Sequence, residues 1–573
     1  MRSTPNSPTD MDDTPRALLS VEHLTVDFRS AEGKTVRAIE DVSFSVQPEQ
    51  TLALVGESGS GKSVSSLAIM GLLPKRSARV GPEARVWFKG QSLLDAPESV
   101  MRGLRGQKIA MIFQDPMSSL NPVYTIGDQL SEMMRVHQGL SRASASSRVL
   151  ALLEEVGIPE PRRRMTSYPH ELSGGQQQRV MIAMALSTEP DLLIADEPTT
   201  ALDVTIQRQI LELLVRLQQR RRMSMLFISH DLALVGEFAH AVVVMRAGRV
   251  RESGSIAEIF SRPQDPYTKA LLACRPDPSR PGQRLQTIDD FMGAQGGQDP
   301  SPAALKPPPE GGPLLEVRGL RKVFDRRKGL FGKDPFVAVD EVSFQLQRGQ
   351  TVGIVGESGS GKTTTGLCIL RLHQASAGQV LFEGRDLLAM TPREFAPYKR
   401  RVQIIFQNPY ASLNPRFTVS QVLDEPMMLH GVGTAGADRQ ARAVALLERV
   451  GLSASALNRY PHEFSGGQRQ RIAIARCLTL SPDLIVCDEA VSALDVSVQA
   501  QVLNLLKELQ QDLGLSYLFI SHDLGVVRHM SDTVIVMQNG RVVEQGPAGP
   551  LYEQPVHPYT RELLAAAPRG RPH

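Results

Sequence analysis

At 573 residues the chain is longer than one hydrophobic core usually serves, so two or more domains are expected. Hydrophobic residues at 41% and charged residues at 22% fit an ordinary globular protein, and a net charge of +3 from 64 basic and 61 acidic residues gives no electrostatic case for a nucleic-acid partner. The four cysteines, Cys274, Cys368, Cys477 and Cys487, form no C-x-x-C pair, which excludes a clustered zinc or disulfide framework and suits buried thiols in a reducing compartment.

Met1–Arg16 is rich in Pro, Ser, Thr and Asp and lacks the basic start and apolar run of a signal peptide. No stretch approaches the roughly 18–20 apolar residues that cross a bilayer. The chain is therefore expected inside the cell, with any membrane contact made through partners. Leu18–Phe28 and Ala38–Val46 read as paired strands, and Thr51–Val55 as a short strand buried on both faces. Next comes GESGSGKS at Gly56–Ser63, and Leu67–Leu73 continues as an apolar helix. Further apolar runs at Asp191–Ala195 and Ser224–Ile228 read as buried strands, the first leading into Asp196-Glu197 and the second into His230. This alternation predicts parallel α/β layers after a more antiparallel start.

The pattern then repeats. GESGSGKT returns at Gly356–Thr363, EFSGGQRQR at Glu463–Arg471 echoes ELSGGQQQR at Glu171–Arg179, and LFISHDL occurs at both Leu226–Leu232 and Leu518–Leu524. Lys62 and Lys362 are 300 positions apart, whereas Ser173/Ser465, Asp196/Asp488 and His230/His522 are each 292 apart. One loop is longer in the first half, and the chain is a fusion of two copies of one domain. Between the copies, Pro276–Pro313 is dense in Pro and Gly and reads as a tether that resists packing.

G-x-x-x-x-G-K-[ST] between a strand and a helix is a phosphate-binding loop. Gly56, Gly59 and Gly61 let successive N–H groups turn toward an anion, with Glu57, Ser58 and Ser60 completing the loop. Lys62 supplies positive charge to β- and γ-phosphates, Ser63 offers a hydroxyl to Mg²⁺, and the helix N-terminus adds about half a positive charge. In the second copy Gly356, Glu357, Ser358, Gly359, Ser360, Gly361, Lys362 and Thr363 take these places. Asp196 and Asp488, each ending an apolar run, are candidates to hold Mg²⁺; the following Glu197 and Glu489 are candidates to polarise water as general bases.

LSGGQ at Leu172–Gln176 and FSGGQ at Phe464–Gln468 resemble the signature of ATP-binding cassette proteins, and the family's other motifs follow in order from about Leu18 to Pro568. The resemblance implies two tandem P-loop NTPase domains of α/β class, each with a mainly parallel core sheet, an antiparallel β subdomain and a helical subdomain. It implies Q-loop residues Gln114 and Gln407 near the metal, D-loops at Ala201-Leu202-Asp203 and Ala493-Leu494-Asp495, and switch histidines His230 and His522. Phe28 and Phe324 are the implied adenine-stacking aromatics, with Phe336 competing for the second place. In this family Ser173, Gly174, Gly175 and Gln176 of one cassette face the nucleotide of the other, as do Ser465, Gly466, Gly467 and Gln468 in return. Neither site looks degenerate.

PQDPYTKALLACRP at Pro263–Pro276 and PVHPYTRELLAAAP at Pro555–Pro568 resemble the C-terminal extension of the oligopeptide, dipeptide and nickel importer branch, with Asp265 in one where His557 stands in the other. Each segment also reads more simply as a helix with an aromatic anchor packed on its cassette. The resulting division is a tail (1–17), cassette 1 (18–262), extension 1 (263–285), a linker (286–312), cassette 2 (313–554) and extension 2 (555–573). The branch implies an ATPase at the cytoplasmic face of the inner membrane that uses ATP and Mg²⁺. Its partners would be two transmembrane permeases, docked near Asp115–Pro122 and Asn408–Pro415, and a solute-binding protein, for import of dipeptides, oligopeptides or glutathione-like solutes. The alternative is a twin-cassette ATPase acting in translation or on nucleic acid; such proteins usually join their halves by a long charged helix, unlike the Pro/Gly-rich linker here.

Overall fold

The computed structural model describes residues 17–29, 33–114, 119–199, 202–276, 282–292, 312–328, 332–408, 412–433, 436–492 and 494–567. The tail expected over 1–17 lies outside them except for Ala17. Packing divides the chain into two compact units. Ile210–Thr268 and the chain up to Thr200 lie in the first; Ala201–Gln209 and Lys269–Arg569 lie in the second.

In the first unit, the strands Leu19–Arg29 and Thr35–Val46 pair antiparallel from Leu19↔Val46 to Arg29↔Thr35, as their alternating burial requires. Arg85–Phe88 adds to the other edge of Leu19–Arg29. A second sheet runs in the order Arg249–Ser255, Ala241–Arg246, Thr51–Val55, Ser224–Ser229, Leu192–Asp196, Ile109–Ile112, and is parallel except at its first edge. Its central strands are buried at every residue, so their sequences are continuous apolar runs rather than alternations. Leu19, Val21, Leu24 and Val26 from the antiparallel sheet pack with Leu54, Ile194, Leu226 and Ile228 from the parallel one, around Ala68 and Ile69 of the helix Lys62–Ile69. That helix ends four residues earlier than the apolar run suggests: Gly71 turns left-handed (φ 59°) and Leu72 is exposed, which corrects the helical reading of Leu67–Leu73.

The second unit repeats both sheets, with Thr351–Val355 between Ser516–Ile520 and Thr533–Gln538, and Leu484–Asp488 next outward. Both parallel sheets therefore aim the C-terminal ends of their central strands at the loop before the helix Lys62–Ile69 or Lys362–Ile369.

The expectation of an unpacked tether over 286–312 is corrected for 286–292. Ile288–Met292 forms a short helix, and Leu285, Thr287 and Ile288 are buried. Thr287 donates through N–H (2.7 Å) and Oγ1 (2.9 Å) to Asp290, a T-x-x-D cap that the Pro/Gly count obscures. The Asn504 carboxamide clamps the Leu285 backbone at both ends, accepting its N–H and donating to its carbonyl, each at 2.8 Å. Most of the remaining linker, 293–311, lies outside the described residues. No described helix is long and apolar enough to cross a membrane.

Candidate active site

In each unit the glycine-rich loop leaves a buried strand and enters a helix. Gly61 and Gly361 precede those helices with φ of 102° and 99°, a conformation that strains any side chain. A Cβ on Gly56 would sit 2.1 Å from the Met245 carbonyl oxygen, and one on Gly356 2.2 Å from that of Met537, so only glycine fits against the neighbouring strand. Lys62 Nζ donates to the carbonyls of Gly56 (2.7 Å) and Glu57 (2.9 Å); Lys362 Nζ donates to Gly356 (2.7 Å) and Glu357 (2.8 Å). Both ammonium groups are thus buried and folded onto their own loops, and burial lowers the Lys362 pKa from the ordinary lysine value. The hydroxyls of Ser60 and Ser360 are buried in the same loops without a hydrogen-bond partner. A ring of N–H groups, a buried ammonium and an orphaned hydroxyl fit a phosphate chain.

Asp196 and Asp488 end buried strands beside these loops. Ser63 Oγ donates to Asp196 Oδ1 at 3.1 Å, and Thr363 Oγ1 to Asp488 Oδ1 at 2.9 Å. Burial pushes the Asp196 carboxyl up to about 6, against the lowering pull of Ser63 and Lys62; burial likewise raises Asp488. A carboxylate short of compensating positive charge, next to a hydroxyl, suits a hard divalent cation held by oxygen ligands, so these pairs fit Mg²⁺.

The next residue is a glutamate in the left-handed region, Glu197 at φ 46° and Glu489 at φ 49°. Its N–H continues the sheet ladder, to Ile228 (3.0 Å) or Ile520 (2.9 Å), and the left-handed turn re-aims the chain beyond it. Two groups converge on one oxygen of each glutamate. Gln114 Nε2 donates to Glu197 Oε2 at 3.1 Å, with His230 Nδ1 3.4 Å from the same atom; Gln407 Nε2 donates to Glu489 Oε2 at 2.7 Å, with His522 Nδ1 at 3.3 Å. Burial acts to raise Glu489, yet its hydrogen bond with His522 and the nearby charges of His522 and Lys362 bring it below the ordinary carboxylate value. Burial acts to lower His522, and Glu489 raises it in return.

Ser173 and Ser465 begin the helices Gly174–Leu186 and Gly466–Leu478. Each hydroxyl accepts the N–H of Gln176 or Gln468 (3.4 Å in both), while the glutamine side chain accepts the serine N–H (3.2 and 3.1 Å). This capping box leaves the intervening glycine N–H groups directed along the helix axis. Phe28 is half-buried against the core of the first unit. Phe324 and its competitor Phe336 are register partners on adjacent strands; the Phe324 ring meets His373 edge-on at 5.5 Å and lies under Lys322 at 4.6 Å, while Phe336 is the more exposed. Residues 115–118 and 409–411 of the suggested docking segments, and Ala201 and Ala493 of the D-loops, lie outside the described residues. Two residues that sequence reasoning left out also reach the loops: the hydroxyls of Tyr267 and Tyr559 accept the N–H of Glu57 (3.2 Å) and Glu357 (3.1 Å). The signal was there, in the repeated P-Y-T of the two extensions.

A doubled phosphate loop, a serine-capped signature helix and a glutamate held by glutamine and histidine define an ATP-binding cassette fold, and the chain belongs to the ABC transporter family, whose model matches residues 39–200 and 339–492. The family model for the oligopeptide/dipeptide transporter C-terminal region matches twice as well, at 251–296 and 543–573. The chain is similar to the glutathione import ATP-binding protein GsiA of Shigella boydii serotype 4 and of Escherichia coli K12, at 47% identity over 97% of this chain and 90% of either relative. It is 48% identical, with the same coverage, to the protein of that name in Salmonella typhimurium LT2.

Proposed function

We propose that this chain is the ATP-hydrolysing subunit of an importer for peptides, glutathione-sized solutes included, and that its two cassettes hydrolyse ATP by one mechanism. The observation that carries the catalytic reading is the convergence of glutamine and histidine on a single glutamate oxygen, repeated in both cassettes. The importer reading is supported by the transporter C-terminal region behind each cassette and by the names of the similar proteins, which also count against a role in translation.

In this mechanism the N–H groups of the loops Gly56–Ser63 and Gly356–Thr363 cradle the phosphates, and Lys62 and Lys362 exchange their loop carbonyls for β- and γ-phosphate oxygens. Phe28 stacks on adenine in the first site, and Phe324 or its register partner Phe336 does so in the second. Mg²⁺, held by Ser63 and Asp196 or by Thr363 and Asp488 with Gln114 or Gln407 nearby, would neutralise charge on the phosphate oxygens. Glu197 and Glu489 accept a proton from the attacking water as its oxygen bonds to the γ-phosphorus and the bond to the ADP oxygen breaks, giving ADP and phosphate. Gln114 and His230, or Gln407 and His522, hold that glutamate toward the water. Ser173–Gln176 and Ser465–Gln468 offer the N–H groups of their capped helix N-termini to a γ-phosphate, a ligand that hydrolysis removes. Two permeases and a solute-binding protein complete the assembly, and the chain acts at the cytoplasmic face of the inner membrane.

The test is co-purification with the permeases and reconstitution in vesicles with the solute-binding protein. ATP turnover stimulated by reduced glutathione or by a dipeptide series, and lost in Glu197→Gln/Glu489→Gln, is the expected result. Turnover indifferent to every peptide would remove the importer reading, and turnover unchanged by the double substitution would remove the catalytic one.

A further inference from the structure

The bond from each phosphate loop to the extension behind its cassette involves one particular peptide group. The N–H of Glu57 and the carbonyl of Gly56 belong to the same planar unit. Tyr267 accepts from the N–H at 3.2 Å, and Lys62 Nζ donates to the carbonyl at 2.7 Å. In the second cassette Tyr559 accepts from the N–H of Glu357 at 3.1 Å, and Lys362 Nζ donates to Gly356 at 2.7 Å. A rigid plate thus carries the tyrosine hydroxyl on one edge and the lysine on the other. Tilting the plate moves the lysine's resting acceptor.

The seat of the tyrosine is built with equal care in both copies. Tyr267 is fully buried and Tyr559 nearly so. Each follows a proline at the start of a helix, Pro266–Ala273 or Pro558–Ala566. Asp265 accepts the Tyr267 N–H at 2.8 Å, and His557 Nδ1 accepts the Tyr559 N–H at 3.2 Å, so two different residues supply one cap. A glutamate on the antiparallel edge strand holds the turn before that helix. Glu252 accepts the N–H groups of Gln264 (2.7 Å) and Asp265 (3.1 Å), and Glu544 those of Val556 (2.9 Å) and His557 (3.0 Å). Burial also keeps the Tyr559 hydroxyl protonated, its pKa pushed up to about 12. A helix that only needed an apolar anchor would be served by phenylalanine. The hydroxyl, aimed at the same loop amide in both cassettes, requires another reason.

We propose that Tyr267 and Tyr559 are positioning residues for the loop lysines, their hydroxyls fixing the Gly56–Glu57 and Gly356–Glu357 peptide groups so that nucleotide affinity depends on how the extension is seated. The inference rests on the reading of these loops as ATP sites. It makes the extension a part of the nucleotide site that never touches nucleotide.

Tyr267→Phe, Tyr559→Phe and the double substitution, in the full chain, keep the ring and remove only the oxygen. A fluorescent ATP analogue displaced by ATP gives the dissociation constant, steady-state turnover separates KM from kcat, and hydrogen exchange reads the loop amides. Expected are an ATP dissociation constant and KM raised about fivefold per site, the size of one ordinary hydrogen bond, with kcat within about twofold and faster exchange at Glu57 and Glu357. Melting temperature should fall by only a few degrees, since packing is retained and one hydrogen bond per site is lost. Wild-type affinity and exchange in the phenylalanine variants would overturn the proposal, as would affinity that falls only in step with melting temperature. Lys62→Ala with Lys362→Ala is the control. Were ATP binding to survive it, the site reading itself would fail; were binding lost there but untouched in the phenylalanine variants, the tyrosine role alone would fail.

Discussion

Set side by side, the two cassettes reach the same hydrogen bonds with different residues. Thr363 does for Asp488 what Ser63 does for Asp196, and His557 caps a helix as Asp265 does. Ala490 stands where the first copy has Pro198, yet Glu489 and Glu197 turn through nearly the same φ. Elsewhere the copies part. Arg246 lies 5.0 Å over the Tyr267 ring, and the matching residue of the second cassette is Gln538. Asn504 clamps Leu285, and its counterpart in the first cassette is Glu212. The duplicated chemistry constrains bonds rather than residue names, and the copies diverge in what each does for a neighbouring segment.

The sharpest way to break the equivalence is to disable one copy at a time. Glu197→Gln together with Glu489→Gln should lower ATP turnover about 10²–10⁴-fold while ATP binding survives. Each single substitution should lower it to the same extent as the other in a turnover assay; a large imbalance would make one site dominant. Next in size is a pH effect at Asp196, whose carboxyl stands at about 6 in the folded chain against an ordinary 3.8. Between those values the folded chain holds a proton that the unfolded chain has released, so stability falls as pH rises through that window, and the full cost persists above it. Asp196→Asn should therefore raise the melting temperature of nucleotide-free protein by several degrees at pH 7.5 and leave it unchanged at pH 3. Asp488→Asn should shift it in the same direction.

The third test targets the clamp. Asn504→Leu leaves the buried N–H and carbonyl of Leu285 without their partner and should destabilise the second unit by about 2 kcal/mol in denaturant melts. Glu212→Leu, on an exposed helix face, should cost less than Asn504→Leu, since an exposed polar contact is worth about 1 kcal/mol or less. Smallest is the cation–π contact: Arg246→Gln should cost the first unit about 0.5–1 kcal/mol, and Gln538→Arg should not be destabilising to a comparable degree.

The strands that carry the site were legible because they are short, continuous and apolar; Thr51–Val55 has the bounds its sequence suggests, and Leu192–Asp196 is displaced by one residue from the run Asp191–Ala195. The loop lysines and the residues after each strand were legible as motifs. That Gln114, Glu197 and His230 meet at one oxygen was not, since local periodicity carries no information about contacts 83 residues apart in sequence. The same limit hid the bond between Glu57 and Tyr267, separated by 210 positions. The helix at Ile288–Met292 escaped for another reason: Pro and Gly counted over the whole of Pro276–Pro313 outweighed one threonine–aspartate cap inside it.

The Asn504 carboxamide gives the fusion a polarity. It both accepts and donates, whereas a carboxylate at the matching place, as in Glu212, can only accept and would leave the Leu285 carbonyl unanswered. Two copies of the first half joined end to end would lack this socket, because Glu212 would stand at the matching place. The second half is therefore marked apart from the first by a single side chain.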